Sequence, residues 1–280
     1  MIKSYCKINL SLRVLKKKKN SLLHDIQSNN ILLNLHDKIS IKKNNQKKDK
    51  VIFKGEFKEL VEKRNNTIIK TLNKLREKNF IKKHIFYNVI VLKKIPIFSG
   101  LGGGTSNAAY IMKNFIKTKI NNSILNSFEK VVGSDLRIFF FNQSFQRSLK
   151  KLTKYKKSFT FNFLIIFPHI KCSTKDIYAK VKNYSQKSKL NYSNILSQKQ
   201  FMYSIMKDKN DLEPVVFSKF KNLKNIINLL LKEKGCYFAR MTGSGSACFG
   251  MFKSQKLAKL ASANIYKKFP KYWFKVTKTI

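Results

Sequence analysis

The sequence predicts an α+β fold on three observations. Several short stretches alternate apolar and polar residues at period two, the pattern of a strand with one buried face. Others repeat apolar residues every three or four positions, one face of a helix. The two kinds interleave without a regular strand–helix–strand repeat and without any longer internal period, which disfavours a parallel α/β sheet or a solenoid.

Taken in order, Ile8, Leu10, Leu12 and Val14 alternate with Asn9, Ser11 and Arg13, a half-buried strand. Residues 16–20 read as a turn or loop. Residues 31–35 and 51–53 read as further strands, with the polar stretch 42–50 between them. Asn65-Asn66-Thr67 before Ile68, Leu72 and Leu75 reads as an Asn-capped helix. Ile85, Tyr87, Val89 and Val91 alternate again. Pro96 opens a loop into a glycine cluster, after which Ala108, Met112, Phe115 and Lys119 share one helical face. Residues 128–132 continue as helix until Gly133 breaks it before the apolar run 138–141. The polar, basic stretch 143–157 is the expected domain boundary, giving domains 1–150 and 151–280. Beyond it the patterns predict a strand at 161–167, a helix from about Thr174 and an amphipathic helix over 218–234. A strand at 247–252, a helix over 255–268 and a strand at 272–276 close the chain.

Composition narrows the function classes. The chain has 280 residues, 43% of them hydrophobic and 12% aromatic, too many for a disordered protein. It is long enough to bury one large core or two smaller ones. Four Cys in this length exclude a disulfide scaffold, and they contain no C-x-x-C. The four His (24, 36, 84 and 169) form no H-E-x-x-H pair, so no zinc site is expected. No G-x-S-x-G elbow occurs. No apolar run approaches the roughly 18 residues that span a bilayer, and Lys3, Lys7 and Arg13 interrupt any secretory core near the N-terminus. A soluble, cytoplasmic protein with no membrane partner is expected.

Lys+Arg number 59 against 14 Asp+Glu, a formal charge of +45. Such a charge suggests nucleic acid. Only six of the basic residues are Arg, however, and bidentate recognition of phosphates and base edges favours the guanidinium. The lysine runs therefore read as solvated surface, and no specific nucleic-acid partner is expected.

Six of the ten glycines fall in two short segments, Gly100, Gly102, Gly103 and Gly104, then Gly243 and Gly245. In a glycine-poor chain such clusters imply positive φ or close approach of the main chain to a ligand. A strand, the run Ser99-Gly100-Leu101-Gly102-Gly103-Gly104-Thr105-Ser106-Asn107 and then an Ala-rich helix would present free N–H groups to an anion. Neither the Walker pattern nor the dinucleotide pattern fits, because Thr105-Ser106 follows Gly104 and Thr105 stands where the third dinucleotide glycine belongs.

The run from Pro96 to Ala109 resembles the Pro-x-x-x-Gly-Leu-Gly-Gly-Gly-Ser-Ser-Asn-Ala phosphate loop of the GHMP kinases. Its Leu-Gly-Gly-Gly-Thr-Ser-Asn-Ala form resembles the branch of that family acting on a cytidine diphosphate-linked methylerythritol. Four further segments resemble the family in its order: Lys7-Ile8-Asn9-Leu10, His24-Asp25-Ile26-Gln27, Gly133-Ser134-Asp135 and Arg240-Met241-Thr242-Gly243-Ser244-Gly245. The chain departs from the pattern at Cys6 (usually Ala), Leu23 (usually a Tyr that stacks on cytosine) and Arg137 (usually Pro), and in residues 143–149.

The resemblance implies a ribosomal-protein-S5-domain-2-like N-terminal domain that binds ATP and a ferredoxin-like C-terminal domain, as a monomer or homodimer. It implies transfer of the ATP γ-phosphoryl, with Mg²⁺, to the tertiary 2-hydroxyl of that acceptor in non-mevalonate isoprenoid precursor synthesis. Asp135 would be the base that takes the hydroxyl proton, and Lys7 the cation that stabilises it and the moving phosphoryl. Pro96, Gly100, Leu101, Gly102, Gly103, Gly104, Thr105, Ser106 and Asn107 would hold ATP, with Thr105 or Ser106 touching Mg²⁺. Asn9, His24, Gly243 and Gly245 would hold the acceptor, His24 at the cytosine edge. A GHMP kinase for homoserine, mevalonate or a sugar is the alternative, as is a basic nucleic-acid binder on the same fold.

Overall fold

The computed structural model describes residues 1–17, 23–59, 61–62 and 66–280. Lys18, Lys19 and Asn20 of the expected loop, and Asn65 of the expected cap, lie outside the described residues. Strands β1 (Ile2–Lys17), β2 (His24–Asn44) and β3 (Lys50–Gly55) precede helix α1 (Thr67–Glu77) and strand β4 (Phe86–Lys93). Helices α2 (Gly103–Phe115) and α3 (Asn122–Val132) follow, then a 3₁₀ turn over Ser134–Phe140. Strands β5 (Gln143–Ser148), β6 (Lys151–Lys154) and β7 (Asn162–Phe167) lead to helices α4 (Thr174–Ala179), α5 (Gln198–Met206), α6 (Glu213–Lys219) and α7 (Lys221–Lys232). Strands β8 (Cys236–Met241) and β9 (Cys248–Phe252), helix α8 (Gln255–Lys268) and strand β10 (Trp273–Lys278) complete the chain. The class is α+β, as expected.

The contacts group into two compact units that interleave in sequence. One comprises Met1–Lys7, Leu35–Ile97 and Gly102–Phe140; the other comprises Ile8–Asn34, Phe98–Leu101 and Phe141–Ile280. A single cut near residue 150 differs from this grouping, because β1 and β2 each contribute residues to both units.

In the first unit the later part of β2 pairs antiparallel with β4, and β3 pairs parallel with β4. The parallel pair needs a crossover, and α1 supplies it. Asn66 caps α1 as expected, accepting from the N–H groups of Ile68 and Ile69. Helix α2 stops at Phe115, so Lys119 lies beyond it, and α3 starts separately from its own cap, Asn121.

In the second unit β7, β8, β9 and β10 form a four-stranded antiparallel sheet in the order β10-β7-β9-β8. With helices between β7 and β8 and between β9 and β10, this is the ferredoxin-like arrangement the resemblance implies. Leu223, Ile226 and Leu230 of α7 and Ala258, Ala261 and Ile265 of α8 pack into one core with Leu164, Ile166 and Phe252. The expected helix over 218–234 is two helices that meet at Phe220, which ends α6 and starts α7.

Four expectations need correction. The first strand is buried on both faces, not one: Asn9 and Ser11 are as inaccessible as Ile8 and Leu10. Its polar side carries hydrogen bonds instead of water contacts, such as Asn9 N–H to Thr242 Oγ1 and Asn29 Nδ2 to Ser11 Oγ. Lys16 and Lys17 continue that strand and do not form a loop, and β2 likewise extends through Lys42, Lys43 and Asn44. The stretch 143–157 holds the β5–β6 hairpin, with Ser144, Phe145 and Gln146 buried. Helix α5 and strand β8 have no counterpart among the expected elements.

The scarce arginines are used internally. Arg76 makes a bidentate pair with Asp49 at 2.7 Å, Arg137 bonds Asn122, Asn126 and Glu129, and Arg13 pairs with Asp208. Arg147 bonds Asn191, and buried Arg240 donates to the carbonyls of Leu10 and Asp208. Every described arginine is thus committed to the fold. The excess charge resides in lysine, the weaker reader of nucleic acid.

Candidate active site

Lys7 sits on β1 between Cys6 and Ile8, both fully buried, and is itself 3% exposed. An isolated ammonium there would be costly, and it finds a carboxylate: Lys7 Nζ lies 3.3 Å from Asp135 Oδ2. Asp135 stands where Gly133, at φ +114°, stops α3 and the chain tightens into the 3₁₀ turn. The Asp135 side chain keeps 37% of its exposure. One partner is therefore buried and fixed and the other reaches solvent, a geometry that leaves the carboxylate free to meet a substrate.

Beside this pair lies the start of α2. Gly102 takes the left-handed conformation (φ +71°, ψ +23°) and caps the helix without a side chain. A Cβ there would lie 2.8 Å from Phe139 Cζ and 3.4 Å from Lys7 Cε, so the lysine stem packs directly against this residue. Ser106 N–H is the first to find a helical carbonyl, that of Gly102, at 2.8 Å. The N–H groups of Gly103, Gly104 and Thr105 thus have no intrahelical acceptor and face outward at the positive end of the helix.

The side chains around this turn hold it in place. Thr67 Oγ1 donates to Gly104 O, Thr105 Oγ1 to Val132 O, and Ser106 Oγ to Tyr5 O while bonding Ser4 Oγ. Buried Lys93 pairs with buried Asp37, whose other oxygen accepts from Lys94 N and Ile95 N. Ile95 would meet a Cβ on Gly103 at 3.0 Å. Lys113 Nζ donates to Phe139 O at 2.6 Å, and burial pushes its ammonium down to about 8. Pro96 and Asn107 are both buried, and Asn107 Oδ1 has no hydrogen-bond partner among the described residues.

Gly102→Ala should therefore lower Tm by several degrees. The added Cβ costs about 1–2 kcal/mol in left-handed backbone and meets Phe139 besides. Thermal melts of the variant and the wild type check it.

The remaining predicted site residues belong to the other unit. Asn9 donates from Nδ2 to Ser28 Oγ at 2.9 Å and to Asn30 Oδ1 at 2.8 Å. Gly243 and Gly245, at φ +57° and +84°, form the turn between β8 and β9, closed by Thr242 N–H to Ala247 O. Asn210 braces that turn by donating to the carbonyls of Met241 and Gly243. Gly100, at φ +78°, lies so near it that a Cβ would stand 2.3 Å from Thr242 O, and Leu101 is fully buried.

His24 is 7% exposed. Its ring lies 6.0 Å from that of Tyr178 and 5.4 Å from that of Tyr184, with interplanar angles of 25° and 30°. Sequence reasoning missed both tyrosines. They stand far along the chain from His24, and nothing local in the sequence singles them out. Leu23 is 58% exposed. Among the described residues no three His, Cys, Asp or Glu cluster as a metal site, and no helix is long and apolar enough to cross a membrane.

The first unit thus brings Lys7 and Asp135 together beside Gly102, and Gly103, Gly104, Thr105, Ser106 and Asn107 follow on α2. The second holds Asn9, His24, Gly100, Leu101, Gly243 and Gly245. Chemically the first arrangement offers an anion seat, a fixed cation and an accessible carboxylate.

Comparisons with known proteins bear on the family and the fold. Residues 194–271 match the family "GHMP kinases C terminal". A protein of Pelagibacter ubique (strain HTCC1062) named 4-diphosphocytidyl-2-C-methyl-D-erythritol kinase is 37% identical over 285 residues, covering 100% of this chain and 98% of the relative. A crystal structure of 4-(cytidine 5'-diphospho)-2C-methyl-D-erythritol kinase superposes with a TM-score of 0.74 at 20% identity, covering 99% and 98% of the two chains. Homoserine kinase from Cytophaga hutchinsonii superposes with a TM-score of 0.72 at 16% identity, covering 100% and 94%. At these identities the two structures speak for the fold alone.

Proposed function

Because the chain belongs to the GHMP kinase family, we propose that it transfers the γ-phosphoryl of ATP to the 2-hydroxyl of 4-diphosphocytidyl-2-C-methyl-D-erythritol, a step of non-mevalonate isoprenoid precursor synthesis. The substrate follows the name of the full-length relative. The single observation that carries the mechanism is the Lys7–Asp135 ion pair beside Gly102.

Asp135 accepts the hydroxyl proton as the alcohol oxygen attacks the γ-phosphorus. The bond from that phosphorus to the bridging oxygen breaks, and ADP leaves. The proton passes from Asp135 to solvent, which the exposed side of the carboxylate allows. Lys7 stabilises the ionised base and the charge on the phosphoryl, and the N–H groups of Gly103, Gly104 and Thr105 hold the phosphates from the end of α2. Such transfers depend on positioning and charge more than on covalent help.

Magnesium, when bound, neutralises phosphate charge and is held by few protein ligands. The residues fit it. Thr105 Oγ1 gives its proton to Val132 O and keeps lone pairs with which it would hold the ion. Ser106 Oγ is buried between Ser4 and Tyr5, which favours Thr105 of the two hydroxyls.

In the second unit, Asn9 and the turn at Gly243 and Gly245 are assigned to the acceptor. His24, Tyr178 and Tyr184 offer flat rings for its base, in a chain that has Leu at position 23. The protein is taken to work in the cytoplasm, as a monomer or homodimer, with no specific nucleic-acid partner.

A coupled ADP-release assay tests the reading. With 4-diphosphocytidyl-2-C-methyl-D-erythritol the expected result is saturable turnover, at least a hundredfold above that with homoserine, mevalonate or galactose. Preference for one of those three would overturn the substrate assignment.

A further inference from the structure

We propose that Gln146 and Ser144, on one face of β5, bind hydroxyl groups of the acceptor's polyol chain and help select it. The inference rests on the reading of Asn9 as an acceptor-binding residue.

Successive residues of a strand point to opposite faces. In β5, Gln143 turns one way, its side chain locked to the main chain of Phe159 by two hydrogen bonds. Ser144 and Gln146 alternate with Gln143 and Phe145, and they turn the other way. The β2–β5 register sets Ser28 opposite Gln146 and Asn30 opposite Ser144. Residues directly opposite across a ladder share a face, about 5 Å apart at Cβ. Asn9 bonds the side chains of the same Ser28 and Asn30. The five residues thus form one polar wall, each no more than 3% exposed.

Within this wall the members differ. Asn9, Ser28 and Asn30 satisfy one another, and Ser28 also donates to Ser11 O. Gln146 Oε1, Gln146 Nε2 and Ser144 Oγ are buried and have no hydrogen-bond partner among the described residues. Buried polar atoms are nearly always paired, and an apolar side chain would fill such a position without that cost. A hydroxyl, which donates and accepts, matches both ends of the Gln146 amide. That amide sits on a flexible side chain, so it can turn toward an entering group with the main chain in place. A site of this kind also discriminates strongly, because a ligand lacking the hydroxyl leaves the protein group unpaired.

The test is steady-state kinetics of Gln146→Leu and Ser144→Ala with 4-diphosphocytidyl-2-C-methyl-D-erythritol and with an analogue lacking one erythritol hydroxyl. For at least one variant the expected result is an acceptor KM raised about tenfold, with the KM for ATP and Tm unchanged or Tm raised. Against the analogue that variant and the wild type should differ less than twofold. Should both variants keep the wild-type KM for the parent acceptor, the two side chains hold only internal water, and the inference fails while the kinase reading stands. Should the wild type not turn over the parent acceptor, the kinase reading fails and the inference falls with it. Ser144→Ala removes little volume, so a folding defect in Gln146→Leu would not spare the inference.

Discussion

Asp135→Asn should lower kcat by roughly 10²–10⁴-fold while leaving the KM for ATP within a few-fold of wild type. Asn keeps the shape and removes both the base and the charge. The ion pair with Lys7 at 3.3 Å goes with them. The substitution also leaves a buried ammonium without its counter-charge. A modest fall in Tm is therefore expected beside the kinetic loss, smaller than for a fully buried pair because Asp135 is partly solvated. If Asp135 served only to shape the turn after Gly133, the rate would stay within a few-fold of wild type.

Lys7→Met should cost about 10²–10³-fold in kcat and leave stability unchanged or improved. The two readouts move apart for a physical reason. Lys7 is almost wholly buried among apolar neighbours, so a thioether of similar length satisfies the fold better than a desolvated cation. The transition state loses the charge placed against Asp135 and Gly102. Thermal melts and single-turnover rates on the same preparation separate stability from chemistry. Combined with Asp135→Asn, the losses should be far from additive, since each residue acts through the other.

How much of this was legible in the sequence differs by residue, with physical causes. The period-two run from Ile8 to Val14 marked β1, and Asn66 marked the start of α1, because both signals are local. The glycine cluster marked the turn into α2, because left-handed φ at Gly100 and Gly102 admits few other residues. The β5–β6 hairpin was hidden for the converse reason. Its Gln and Ser look like surface residues, and their burial depends on strands far away in sequence. The same holds for the polar side of β1, where Asn9 and Ser11 read as solvated. The rings of Tyr178 and Tyr184 join His24 only through the fold. Lys7 is the sharpest case: one lysine among dozens, set apart in sequence by motif alone and in the structure by burial and a carboxylate 3.3 Å away.

The most direct measurement is a crystal structure of the protein with magnesium and a non-hydrolysable ATP analogue. The β- and γ-phosphates should lie within hydrogen-bond distance of the main-chain N–H groups of Gly103, Gly104 and Thr105, with the Asp135 carboxylate facing the γ-phosphorus. Phosphates bound elsewhere at full occupancy, or an Asp135 side chain turned away from them, would contradict the account.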